Sequence, residues 1–432
     1  MNVPDIVVLA GGAGSRMRVD HPKALHPVFF RPMIRHVLDA AAALPHRAFC
    51  LVVGRGEREL REQCRAYPDL RIVRQEAPQG AADALREVQS ALGGPDADVL
   101  VLEGDRALLS ARSLAELLSA HAASGAACTL GLPAGPEREP AAYCFRSRDL
   151  FNALKLDPSG ADGAEPTLGD AAAALAAQGG AISEYRFADP DETLDINDHE
   201  GLWRVEAVMR ARLNRELMLK GVSIQDPGAT LIDPRCRIEP DVRIEAGCTL
   251  INSTIGAGAV LENSCRVIDS EVGQGSTIRQ GTCLEKSRVG RDCRLGPYAR
   301  LRAGSHLDDA VWVGSFVEIE NAALGSGTRA AHLSFIADAL IGRNVEIGCG
   351  FIACNSSGRP LKQRTVIEDN VFIGSASQAI APVTLGAGSF IATGTSVTED
   401  VPPDSFVISR GRQVTKPGYA KKYGRAKGAP AA

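Results

Sequence analysis

The chain predicts two folds in series: an α/β domain with a doubly wound, Rossmann-like sheet, then a left-handed parallel β-helix of hexapeptide repeats. Apolar runs at 6–10, 49–53 and 99–102 alternate with helix-like segments such as 32–44 and 80–92. That alternation is expected of parallel strands buried beneath helices on both faces. From Ile255-Gly256 to Leu385-Gly386, ten aliphatic-glycine pairs recur at separations clustering at 6 and near 17 or 18, so one coil should hold three short strands. In this reading the aliphatic side chain points along the axis and the glycine permits the sharp turn at each corner.

Each segment follows from its pattern. The first strand should run directly into a glycine-rich loop, and the ligand of an open α/β sheet sits at the carboxyl ends of its strands. Residues 134–142 and 157–168, rich in Pro, Gly, Ala and acidic residues, read as loops. Asp198 can cap a long helix in which Leu202, Val205, Met209, Leu213 and Leu217 recur at helical spacing. The expected boundaries are an α/β domain over 1–197, a connecting helix over 198–220, the β-helix over 221–410 and a loose basic tail over 411–432. Hexapeptide solenoids most often belong to acyltransferases.

Composition narrows the classes further. With 45% hydrophobic and 23% charged residues and a formal net charge of -4, the chain has no general attraction to nucleic acid or anionic lipid. Neither nucleic acid nor membrane is an expected partner; residues 6–10 are too short for a signal peptide, and a cytoplasmic location is expected. Eleven cysteines lie singly without a CxxC pair, as reduced thiols do.

The string Leu9-Ala10-Gly11-Gly12-Ala13-Gly14-Ser15-Arg16-Met17, followed six residues on by Lys23, is the strongest motif. Its glycines let backbone N–H groups approach a triphosphate, and Arg16 and Lys23 supply positive charge for the oxygens. It resembles the signature of sugar-1-phosphate nucleotidylyltransferases. Together with the solenoid and with strings such as HPKALHPVFFRPMIRHVL, GPYARLRAGSHL, VGSFVEIENAALG and FVISRGRQ, the whole chain resembles one bacterial family. That family is the bifunctional N-acetylglucosamine-1-phosphate uridylyltransferase and glucosamine-1-phosphate acetyltransferase.

The resemblance implies attack of a sugar phosphate on a nucleoside triphosphate, UTP by family expectation, with Mg²⁺ held by Asp105 and Asn197 and the base read by Gln75 and Gly80. It implies acetyl transfer from acetyl-CoA, with His332 taking a proton from the attacking amine. Arg302 and Asn355 match acceptor contacts, while Cys349, Ser375, Ala392 and Arg410 fall at coenzyme A positions. A homotrimer is implied as well, with the coenzyme channel between adjacent solenoids.

Departures gather on the acceptor sides. Glu103 replaces a family tyrosine, Arg106-Ala107 stands where a proline is usual, and Ala81 replaces a threonine. The segment that holds N-acetylglucosamine is shortened around Gly131-Leu132-Pro133 and Pro140-Ala141-Ala142-Tyr143. In the acyl half, Glu320 replaces a phosphate-binding lysine, Phe335 a tyrosine and Glu346 an asparagine. The expectation is therefore a nucleotidylyltransferase and N-acetyltransferase with an altered acceptor. The readings left open are ordinary UDP-N-acetylglucosamine synthesis, activity in one half alone, and a nucleotide- or CoA-binding scaffold without turnover.

Overall fold

The structure is a computed structural model, and it describes residues 3–12, 14–54, 56–75, 80–92, 94, 97–136, 139–155, 167–356, 362–409 and 411–419. The chain divides into two compact units, Met1–Arg212 and Leu213–Ala432. Among the described residues no helix is long and apolar enough to cross a membrane.

The first unit is built on a seven-stranded sheet. In chain order its strands are β1 (Asp5–Ala10), β2 (Phe49–Val53), β3 (Leu70–Arg74), β4 (Asp98–Glu103), β5 (Cys128–Leu132), β6 (Ala142–Arg146) and β7 (Ile182–Arg186). They lie side by side as β3-β2-β1-β4-β6-β5-β7. β1 is flanked by two parallel neighbours, with Leu9 opposite both Val52 and Glu103. Because side chains alternate across a strand, Ile6 and Val8 pack on one face against Ile34, Val37 and Leu38, while Val7 packs on the other with Leu85 and Val88. Both faces are covered, which is why the run carries no polar alternation.

β6 departs from the parallel pattern, pairing antiparallel with both β4 and β5. The segment between β5 and β6 is too short for a helical crossover, so the chain can only fold back. Helix α1 (His199–Leu219) follows the last strand, and the Asp198 carboxylate accepts from the Gly201 N–H at 2.9 Å, capping it as its sequence suggests. The division between the two units falls inside this helix.

The second unit is a left-handed parallel β-helix whose three faces are sheets of eleven, ten and nine strands. Val260 pairs with Thr277 and Thr277 with Arg294, a step of 17 residues per coil. The column Leu261, Ile278, Leu295, Val313 is fully buried along the axis. Each such side chain contributes roughly 1.5–3 kcal/mol by leaving water. One coil is longer: Glu346 pairs with Phe372, a step of 26.

Most glycines of the aliphatic-glycine pairs do a different job from the one their spacing suggests; Gly296, at φ +91°, is the exception that does turn the chain in the left-handed region. Gly256, Gly273, Gly290, Gly325 and Gly342 are not in the left-handed region. A Cβ on Gly273 would instead lie 2.4 Å from the Gly290 carbonyl oxygen of the next coil. Glycine is required there by coil-to-coil approach, while the left-handed turn comes two residues later, at Gly275, Asp292, Gly327 and Asn344.

Candidate functional site

In the first unit the carboxyl ends of β1 and β4 deliver the glycine-rich loop and the acidic residues to one place. Leu9 and Ala10 close β1 half-buried, Gly12 is exposed, and Arg16 projects from a short 3₁₀ turn into solvent. Ala13 lies outside the described residues. Gly14 has φ +64°, and a Cβ there would meet the Lys23 Cβ at 2.9 Å, so the loop turns tightly over Lys23. A Cβ on Gly11 would sit 3.1 Å from Gln75 Oε1, so the loop also lies close against the residue expected to read the base. Gln75 is buried, and its amide donates to Asp83 Oδ2 at 2.9 Å and to the Gly80 carbonyl at 3.4 Å. Gly80, at φ +97°, opens the following helix.

Lys23 joins the two expected metal ligands. Its Nζ donates to Asp105 Oδ2 at 2.6 Å and to Asn197 Oδ1 at 2.9 Å, with both ends of the ion pair mostly buried. Asp105 comes from the turn after β4 and Asn197 from the segment before α1, 92 residues apart. The second Asp105 oxygen, Oδ1, is buried without a hydrogen-bond partner among the described residues. The Asn197 amide in turn donates to Asp195. The donors presented are all oxygens, one of them unpaired, which suits a hard divalent cation such as Mg²⁺ that keeps waters and phosphate oxygens in its remaining positions.

Glu103 is not left as a bare carboxylate beside these groups. Arg106, which is buried, donates from Nε to Glu103 Oε2 at 3.2 Å and from Nη1 to the Thr193 carbonyl. Burial first and the nearby Asp105 charge second push the Glu103 carboxyl above its ordinary range, against the pull of Arg106. The replacements at 103 and 106 therefore act as a pair, which single positions read one at a time did not reveal. Three histidines also meet here unforeseen: the His26 ring stacks on His21 at 5.3 Å and meets His199 edge-on at 5.9 Å. Burial, then the two neighbouring rings, hold His26 below its usual pKa.

In the second unit, His332 ends the strand Arg329–His332 with an exposed side chain, opposite Ser315 of the preceding coil. The expected acceptor residues form a charge network. Arg302 Nη1 donates to Glu320 Oε2 at 2.7 Å and to Glu318 Oε1 at 3.3 Å. Lys362 Nζ reaches Glu320 Oε1 at 3.3 Å and Asp338 Oδ2 at 3.8 Å. Asp338 then accepts from Asn321 at 2.6 Å and from the amide of Asn355. Burial disfavours the Asp338 charge, but the two amides, Lys362 and Arg364 outweigh it and hold the carboxyl below its ordinary value. Phe335 lies beside Glu318 in the ladder.

Asp338 and Lys362 are absent from the residues the sequence singled out. A signal existed for the first: Asn321, Asp338 and Asn355 are spaced by 17, one corner of successive coils. Lys362 lies in the enlarged coil, where the repeat offers no register. Glu346 does not join Glu320, since its strand belongs to the eleven-stranded face with His332 and the Glu320 strand to the ten-stranded face. The two carboxylates are thus not placed around one ligand on the same face.

The expected coenzyme contacts follow a corner. The Ala376 N–H donates to the Cys349 carbonyl at 2.7 Å and the Gly394 N–H to the Ser375 carbonyl at 2.9 Å, stacking three coils, while Ala392 is buried beside them. Arg410 lies outside the described residues, as do tail residues Lys421, Lys422, Arg425 and Lys427.

Comparison with known proteins agrees with this division. The profile of the MobA-like NTP transferase domain matches residues 6–174, and that of the GMPPB C-terminal domain matches 227–313. The Bifunctional protein GlmU of Pelobacter propionicus is 36% identical, over 96% of this chain and 97% of its own. The Bifunctional protein GlmU of Trichlorobacter lovleyi is also 36% identical, over 98% of this chain and 99% of its own. That of Listeria monocytogenes serotype 4a is 34% identical over 96% and 97%.

Proposed function

This chain belongs to the bifunctional GlmU family, and on that premise we propose that it couples nucleotide activation of a sugar phosphate to acetylation of an amine with an altered acceptor. It is a transferase. The observation that carries the first half is the joining of Asp105 and Asn197 through Lys23 beneath the glycine loop. Gln75 and Gly80 face the base of the nucleoside triphosphate, UTP in this reading, while the loop N–H groups, Arg16 and Lys23 balance phosphate charge. Asp105 and Asn197 hold Mg²⁺, which when bound supplies charge neutralisation at the reacting phosphates. Glu103 and Arg106 line the sugar side.

In the acyl half His332 is the general base, and Cys349, Ser375, Ala392 and Arg410 meet acetyl-CoA. Here the cations at the acceptor position are already engaged: Arg302 and Lys362 are both paired with Glu320. A phosphate arriving there would compete with three carboxylates, Glu318, Glu320 and Asp338, for the same cations, which supports an acceptor without phosphate at that position, an amino sugar or polyhydroxylated amine. We propose further that the protein works as a cytoplasmic homotrimer, because the coenzyme residues run along an outer corner of the solenoid where a neighbouring copy can complete the channel.

The test is one incubation of the purified protein with UTP, Mg²⁺, acetyl-CoA and glucosamine-1-phosphate, followed by mass spectrometry beside an authentic family enzyme. Formation of UDP-N-acetylglucosamine at a rate matching the control sinks the altered acceptor. Its absence beside a working control, with turnover of another amine, supports it.

A further inference from the structure

Lys23 occupies an unusual place for a residue assigned to phosphate charge. Its ammonium makes its two hydrogen bonds to the two side chains expected to hold the metal, at 2.6 and 2.9 Å, rather than facing the loop. A monovalent cation thus already bridges an acidic and a neutral oxygen donor that come from distant parts of the chain. Among the described residues, Asp105 Oδ1 finds no hydrogen-bond partner and is left buried beside it.

We infer that Lys23 is a resident counter-ion of these ligands, and that a divalent cation engages Asp105 Oδ2 and Asn197 Oδ1 only by displacing it. The inference rests on the nucleotidylyltransferase reading of this site. Each of these oxygens has a second lone pair, but an ammonium and a divalent cation drawn to the same pair of oxygens repel each other at contact distance, and that repulsion opposes sharing. The ammonium therefore keeps the donors together before metal arrives and weakens metal binding to the free protein. A triphosphate above the glycine loop offers the ammonium a stronger partner than a single carboxylate. Nucleotide binding pulls Lys23 upward and vacates the ligands, so metal and nucleotide each raise the other's affinity by the same factor. Lys23 acts in this step as a positioning residue, and its exchange of partners orders the assembly.

Mn²⁺ serves as the probe, with binding to the full chain read by electron paramagnetic resonance in the absence of nucleotide. Lys23→Met is expected to bind Mn²⁺ at least about tenfold more tightly than wild type. Removing any nearby positive charge has some effect in that direction, so the second readout is lysine footprinting of wild type by reductive methylation and mass spectrometry. Lys23, with only 12% of its side chain exposed, should be slow to react alone and react several-fold faster at saturating Mn²⁺. Unchanged or weaker Mn²⁺ affinity in Lys23→Met, or a Lys23 footprint indifferent to Mn²⁺, overturns the inference. Addition of Asp105→Asn to Lys23→Met separates this from the parent reading: if Mn²⁺ binding survives undiminished, Asp105 is not a metal ligand and the assignment of the site itself fails.

Discussion

The guanidinium of Arg302 donates to the Glu320 carboxylate at 2.7 Å, across the step between successive coils of the ten-stranded face. The residue expected from the family resemblance to meet the acceptor phosphate is thereby turned toward an anion of its own chain, and Lys362 reaches the other oxygen of the same carboxylate at 3.3 Å. Charge at this position is neutralised internally.

Glu320→Lys should remove the carboxylate that Arg302 and Lys362 share, leaving them Glu318 and Asp338 as partners, and add a third cation. At an effective dielectric near 20 each charge about 4 Å from a phosphate is worth roughly 4 kcal/mol before screening by salt and solvent, so a gain of at least about tenfold is expected in affinity for glucosamine-1-phosphate. Calorimetry on wild type and variant, with glucosamine as the uncharged comparison, measures it. Equal affinity of both proteins for the phosphorylated compound contradicts the charge argument.

Asp105→Ala should reduce pyrophosphate release by about a hundredfold or more, through loss of a metal ligand, while acetyl transfer continues. His332→Ala should do the reverse, lowering acetyl transfer by roughly 10²–10⁴ as expected for loss of a general base. Separate assays of the two products decide the matter, and a variant that leaves its own reaction intact removes that residue from its role.

Gly273→Ala would set a methyl group 2.4 Å from the Gly290 carbonyl oxygen, against backbone that cannot rotate aside. A loss of about 2 kcal/mol or more is expected in chemical denaturation. Gly12→Ala meets nothing within 4 Å among the described residues and should change stability by less than about 0.5 kcal/mol, whatever it does to nucleotide binding. Equal stability of the two variants would mean that coil spacing is not what requires glycine at 273.

His121 is buried with Nδ1 2.8 Å from Thr129 Oγ1 and Nε2 3.5 Å from Asp98. Burial lowers its pKa below 6.5 despite the attraction of Asp98. The folded protein therefore binds this proton less readily than the unfolded chain. The stability contributed is full above pH 6.5 and is lost as pH falls from there toward the folded pKa. Denaturation midpoints of wild type and His121→Asn between pH 7.5 and 5 test this, with a shallower pH slope expected in the variant; parallel curves refute it.

Both folds were legible because each depends on local periodicity. Continuous apolar runs signal strands covered on both faces, and a step of 17 or 18 places one aliphatic residue per coil on the axis, as the buried column from Leu261 to Val313 shows. The reversed direction of β6 was less visible, since it follows from the length of a connection rather than from side-chain pattern. The glycines at 256 and 273 were correctly located but for the wrong physical reason, because a clash with the next coil involves residues 17 or 18 positions away.

What the sequence determined by itself was the order of the two folds, the phosphate loop, and which residue types stand at each expected ligand position. Tertiary structure alone decided which charges meet. Lys23 with Asp105 and Asn197, and Glu320 with Lys362, are pairings between segments whose separation along the chain carries no periodic signal, whereas Glu103 and Arg106 lie three residues apart and Arg302 and Glu320 one coil apart. Electrostatic energy depends on distance in space, and a carboxylate read from sequence as repelling a phosphate is, once folded, already held by a cation of its own chain.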